Sequence, residues 1–248
     1  MGKTTGLNQR FYLGGFDISG DVSAMDSAGV PIATLDSTGI DKSAHERLLG
    51  LRDGSLAFTS IFNTSAGQQH KVLSALPRTD VGVMWAGGVT IGSPAYCMIA
   101  KQVNYDGTRD AAGLLNFKTS MQANAFGADW GELLTAGKRV DTTATAGSPF
   151  DGGAASAFGF TAYLQVFAFS GTDVTVKLQD ATTSGGSYAD ITSGAFAQVT
   201  AAPAVGRIAV GGTGAVREFV KATTVTSGGF TSVTFAVVLV RNQAAVRV

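Results

Sequence analysis

Few residues in this chain could do chemistry. It has two histidines, His45 and His70, and one cysteine, Cys97. His45-Glu46 opens like the H-E-x-x-H zinc motif, but the second histidine position holds Leu49. Without two imidazoles one turn apart, a metal has no nitrogen pair to bind. A two-histidine site across loops is the remaining arrangement, and two solvated loop histidines are the simpler reading. Asp106-Gly107-Thr108-Arg109-Asp110 lacks the ligand spacing of a calcium loop and its closing glutamate, and reads as a hairpin turn with an Asp-Gly corner. Gly185-Gly186-Ser187-Tyr188 is followed by Ala189, where a nucleophile elbow needs glycine. Gly211-Gly212-Thr213-Gly214 does not match a dinucleotide fingerprint and precedes a strand-like segment, so it reads as a tight hairpin. Cys97 lies in an apolar segment and reads as a small buried strand residue. Catalytic, cofactor-binding and metal residues are therefore expected to be none, and the chain reads as a non-enzyme.

The elements that would position any site are short strands. The 248 residues are 45% hydrophobic and 15% charged, enough for a real core. Gly numbers 33, against an ordinary share of about 7%, and is spread among Ser, Thr and Val without a Gly-X-Y period. That composition reads as many strands joined by glycine turns. Net charge is zero, so the whole chain carries no basic nucleic-acid footprint. MGKTTGLNQRF has no apolar signal region, and the run Val233 to Val240 is far short of the ~20 residues a bilayer span needs. With a single cysteine, no intrachain disulfide can form, and folding in a cytoplasm is expected.

A composition break at Thr142 to Ala157 reads as a linker, with its Gly/Ala/Ser-rich centre at 146–157. Residues 1–141 hold 12 Lys/Arg and 13 Asp/Glu, and residues 142–248 hold 6 and 5. The expected division is a β domain over 1–145 with one or two short helices, and a small β-sandwich, Ig-like or similar, over 158–248. In Ser55 to Phe62, Leu56, Phe58 and Phe62 share one face with Ser60. Val81 to Ala86, Ala95 to Gln102 and Leu114 to Ala123 are further strands. In the second part, Val174, Val176 and Leu178 alternate with Thr175, Lys177 and Gln179. The helices are expected at Ser43 to Leu49 and Ala128 to Leu134. Ser43 and Glu46 fit a capping box, Gly50 fits a left-handed stop, and Asp53-Gly54 fits a turn into the next strand.

Between Phe11 and Asp41 the only charges are Asp17, Asp21, Asp26, Asp36 and Asp41. They read as a solvated strand face with Asx turns, or as a surface that repels polyanions.

The stretch TLDSTGIDKSAHERLLGLRDGSLAFTSIFN resembles the major tail protein of long-tailed bacteriophages, the subunit of the tail tube. The likeness rests on a charged segment, the joint Gly50-Leu51-Arg52-Asp53-Gly54, and the core strand Leu56 to Phe62. Asp110 to Gly137 resembles a late strand and turn of the same domain, so the likeness spans about residues 10–140. The second part resembles the β-sandwich add-on of such virion proteins. The resemblance implies a mainly β subunit that closes into hexameric rings and stacks into a tube for the genome. Ring closure would pair free sheet edges. It implies no cofactor, no membrane, and DNA only in transit. The implied partners are further copies and the tape measure, terminator and distal tail proteins, in a virion tail assembled in the host cytoplasm. The five aspartates become candidates for a lumen lining, and His45, Arg47, Arg52 and Asp53 candidates for contacts between subunits. The second domain would project outward, so removing 150–248 would leave tubes intact. The alternatives are another virion role (head decoration, cement or tail terminator) and a carbohydrate-binding sandwich. The latter has few aromatic platforms: Trp85 and Trp130 lie in the first part, which leaves the second Tyr163, Tyr188 and several Phe.

Overall fold

Alternation of buried and exposed side chains sets most of the architecture. The computed structural model describes residues 5–212 and 214–244. The chain runs through β1 (Arg10–Leu13), β2 (Phe16–Asp17), β3 (Val22–Gly29), β4 (Ile32–Asp36), β5 (Arg47–Arg52), β6 (Ser55–Ile61) and α1 (Gln69–Leu73). Then come β7 (Val81–Ala86), β8 (Pro94–Gln102), β9 (Asp106–Arg109), β10 (Leu115–Ala123), β11 (Asp129–Leu133) and β12 (Arg139–Asp141). The second part holds β13 (Phe150–Asp151), β14 (Phe160–Gly171), β15 (Thr175–Ala181), β16 (Ala189–Ala195), β17 (Ala204–Val210), β18 (Phe219–Val225) and β19 (Phe230–Arg241). The fold is mainly β, and its sheets are antiparallel.

Three apolar cores hold it together. The first lies inside the order β3-β6-β10-β8-β7-β1. Leu56, Phe58 and Ser60 of β6 point inward as their alternation predicts, and the Phe58 ring meets Phe11 at 4.7 Å. β3 is the free edge of this sheet, and its ladder to β6 is interrupted twice, at Val22/Ala24 and Met25/Ser27. The second core is a sandwich. Its sheet β17-β14-β19 faces the sheet β13-β18-β15-β16, with Phe160, Leu164 and Val237 against Val176, Leu178 and Ala222.

The third core joins the two parts. β11 pairs with β8 on one side and β19 on the other, so one 13-stranded sheet runs through both parts. Tyr12, Met84, Ala86 and Cys97 of the first part pack with Tyr163, Ala236 and Val238 of the second. Burial pushes the Cys97 thiol well up, so it stays a neutral packing group. Gln165 is buried at this joint. Its side chain accepts from the Gly15 N–H at 2.7 Å and donates to the Gly82 carbonyl at 2.9 Å. Residues 146–157 lie along the sandwich: Gly147 N–H donates to Ala222 O, β13 pairs with β18, and Ser156 bridges Val216.

The structure corrects several local expectations. Ser43 to Leu49 is not a helix. The Thr38 hydroxyl takes the Glu46 N–H, and the Glu46 carbonyl accepts from Ser37 N–H, closing a hairpin loop instead of a capping box. Leu48 to Leu51 then continue as β5, paired with β4, and Gly50 lies flat against Ala33 without a left-handed backbone. Ala128 to Leu134 is likewise not a helix, and holds the strand β11. Asp129, Gly131 and Leu133 point inward, and a Cβ on Gly131 would stand 2.4 Å from the Leu239 carbonyl oxygen. The one helix among the described residues is α1. Asp106–Arg109 is a strand, and the turn follows it, where the Asp110 carboxylate accepts from Leu114 N–H and Gly113 has φ +99°. Thr213 lies outside the described residues; the Gly214 N–H donates to the Gly211 carbonyl, and the chain passes from β17 in one sheet to β18 in the other, so this is not a hairpin. Asp53-Gly54 does turn the chain into β6, with the Asp53 carboxylate accepting the Gly54 N–H at 2.7 Å.

Candidate functional site

An alternating strand buries one face. β4 and β5 bury neither. The two pair only with each other, every residue of β4 is exposed, and so is every residue of β5 except Gly50. They form an arm carrying Ile32, Leu35, Leu48, Leu49 and Leu51 into solvent, with Leu49 72% and Leu51 86% exposed. A free hairpin of two strands is marginal in water, so something must hold it. At its base, Asp53 N–H donates to the Pro31 carbonyl. The Arg52 guanidinium reaches across to the Asp129 carboxylate at 2.5 Å and the Ala128 carbonyl at 3.0 Å. Asp129 is buried and takes the Tyr163 hydroxyl on its other oxygen at 2.6 Å. Burial first, and the neighbouring Asp129 charge second, push the Tyr163 phenol far up, so it remains a donor.

The loop at the tip is tied just as firmly. Asp36 accepts from the Thr38 N–H and hydroxyl and meets His45 Nδ1 at 3.1 Å. These hydrogen bonds, Thr38 first, hold the Asp36 carboxyl below its usual range. Lys42 stands 3.7 Å from both Asp41 and Glu46. On this ordered loop Ile40 is wholly exposed.

Between arm and body lies a groove of about 830 Å³. Ile32, Leu35, Leu49 and Leu51 form one wall, and Phe126, Asp129 and Arg207 the other. The Arg207 guanidinium lies 3.8 Å from the centre of the Phe126 ring, and its Nε has no hydrogen-bond partner among the described residues. Arg52 and Asp129 neutralise each other as an ion pair, and the second Asp129 oxygen takes the Tyr163 hydroxyl, which leaves the groove largely apolar with Arg207 as its net charge. Such a surface suits binding, not bond making.

The five aspartates do not form one surface. Asp17 is half-buried and pairs with Lys138 at 2.6 Å. Asp21 is buried and accepts from the Gln69 N–H and the Asn63 amide, fixing the start of α1. Asp26 is exposed and accepts from Thr59 on β6. Asp36 and Asp41 are on the arm. Of the candidate contact residues, His45 and Arg47 are exposed on the arm, Arg52 is anchored to Asp129, and Asp53 caps its own turn. His70 packs on Phe62 and meets the Tyr105 hydroxyl at 2.9 Å, in α1 and not on the arm. Among the described residues no three His, Cys, Asp or Glu gather as metal ligands, and no helix is long and apolar enough to cross a membrane. Tyr163 is buried, so it is no platform for a sugar. Sequence reasoning missed Ile40, Phe126, Asp129 and Arg207. Only Ile40 left a signal, as an aliphatic residue alone in a polar loop.

No family model matches the chain, and no curated relative matches it. Solved structures similar to it include the tail of an empty gene transfer agent particle with C6 symmetry, at 13% identity and TM-score 0.39, covering 52% of this chain and 98% of that one. Another is the Dit protein of phage SPP1, a hub of the adsorption apparatus, at 10% identity and TM-score 0.32, covering 92% and 98%. A third is the phage p2 baseplate, at 8% identity and TM-score 0.35, covering 96% and 99%. Likenesses with TM-scores this low carry no argument about function.

Proposed function

We propose that this chain is a structural protein of a phage tail, a subunit that polymerises as stacked hexameric rings into the tube through which the genome passes. The observation that supports it is the arm. An ordered hairpin holds its leucines in water and its two strands pair with no other strand among the described residues, and a second copy gives it something to cover. The likeness to a tail tube subunit falls on this same stretch. In this reading His45 and Arg47 are subunit contacts, while Arg52 and Asp53 set the angle of the arm. The lumen role reduces to Asp26, the exposed aspartate outside the arm, because Asp17 and Asp21 serve their own chain and Asp36 and Asp41 sit on the arm that meets the next subunit. Carboxylates there repel DNA phosphates and let the genome slide. The remaining partners are tape measure, terminator and distal tail proteins, in the virion, after assembly in the host cytoplasm.

Negative-stain electron microscopy of the purified chain at rising concentration tests the proposal. Tubes or six-fold stacked rings are expected. Single rings that never stack would make it a terminator. Particles that stay monomeric and bind capsids would make it a cement protein.

A further inference from the structure

The arm and the groove at its base fit as knob and hole, and we infer that the tip of one copy's arm, Ile40-Asp41, seats in the groove of the next copy. The inference rests on the self-assembly proposed above and names the surfaces that carry it. Ile40 is the knob: it is wholly exposed, on a loop tied by the bonds from Thr38 to Asp36 and from Glu46 to Thr38. An apolar side chain on a loop already ordered loses little entropy on docking. The hole is the 830 Å³ groove, apolar along the arm wall and at Phe126 opposite, and wide enough for an aliphatic side chain with its flanking backbone.

Charge selects the same match. The loop between the arm strands and its flanks, residues 36–47, carry Asp36, Asp41 and Glu46 against Lys42 and Arg47, a net negative charge. The groove carries Arg52, Asp129 and Arg207; Arg52 and Asp129 cancel as an ion pair, which leaves Arg207 as its net positive charge. The Arg207 guanidinium lies over the Phe126 ring on the groove wall, and Asp41, next to Ile40, brings the opposite charge to it. Knob and hole are different patches of one chain, so the contact is head-to-tail. It propagates from copy to copy and does not stop at a dimer.

Two single variants of the full chain and their mixture test this. Ile40→Asp removes the knob, and Leu51→Asp spoils the hole; both side chains are exposed, so the fold is spared. By sedimentation velocity, each variant alone should fail to elongate at concentrations where the parent does. An equimolar mixture should give heterodimers and nothing larger, since one intact knob meets one intact hole. Heterodimers would also prove both variants folded. Knob and hole are overturned if Ile40→Asp elongates like the parent, or if the mixture shows no heterodimer. In either case the tail reading stands as long as the parent elongates. A parent that stays monomeric under all conditions would instead sink the reading itself.

Discussion

The arm and the joint between the two parts are inverted images of each other. The arm holds leucines in water; the joint holds Gln165, Asp129 and Tyr163 away from it. Each misplaced group has a reason. A buried polar side chain persists where it makes a bond nothing else can make, here the stitches from β14 to Gly15, Gly82 and Asp129. An exposed leucine persists where its cover comes from outside the chain. The joint is thus the chain's connection to itself, and in the proposed reading the arm is its connection to others.

Deleting 150–248 should break this contrast most severely. The joint would lose Tyr163, Ala236 and Val238, leaving Met84, Ala86 and Cys97 uncovered. We expect no cooperative unfolding transition by circular dichroism, the reverse of what the sequence alone suggested. A folded, tube-forming truncation would show that the parts are independent.

Gln165→Leu comes next. It strands the Gly15 N–H in a buried site, while the Gly82 carbonyl keeps the Gly14 N–H. Urea unfolding should show a loss of about 1–3 kcal/mol for that one unsatisfied group. A loss under about 1 kcal/mol would mean water replaces the side chain.

Asp173→Asn should act through pH. The Asp173 carboxylate accepts from Ser227, Gly228 and Thr226, and these bonds, the Ser227 hydroxyl first, hold its pKa far below the usual value. A depressed pKa gives stability that is present above the unfolded value of about 4 and lost as pH falls through the folded one. The parent should therefore lose stability below about pH 4 more steeply than Asp173→Asn does. Parallel acid titrations of the two would remove Asp173 from that role.

Leu49→Ser should have the smallest effect on the free subunit, within about 0.5 kcal/mol, because the side chain is already in water. Its melting temperature should not move while its tendency to self-associate falls. A clear drop in melting temperature would show that the arm packs on its own body.

The sequence displays one side of this contrast better than the other. β6, β7, β8, β10, β15 and β19 are legible because one strand's alternation reports its own burial, as Leu56, Phe58 and Ser60 do. β5 and β11 were misread because both sit beside helix-like cues. A Ser-x-x-Glu box works only if its backbone is free, and Thr38 and Ser37 take the Glu46 groups first. The joint is invisible for another reason: Glu132 pairs with Leu239, and no local pattern reports a partner so far along the chain. In the site, His45 and Arg47 were legible as exposed residues of a charged loop. The groove was not, because Phe126 and Arg207 come to the arm only through the fold.

The two interruptions in β3 have a consequence for life in a crowded cell. A subunit of the kind proposed above would accumulate in many copies before it is used, and an open sheet edge invites any passing strand. Bulges twist that edge so that no continuous ladder of donors and acceptors is offered. Along this border the protein is fenced against its own abundance, and copies can wait at high concentration without fusing into aggregates.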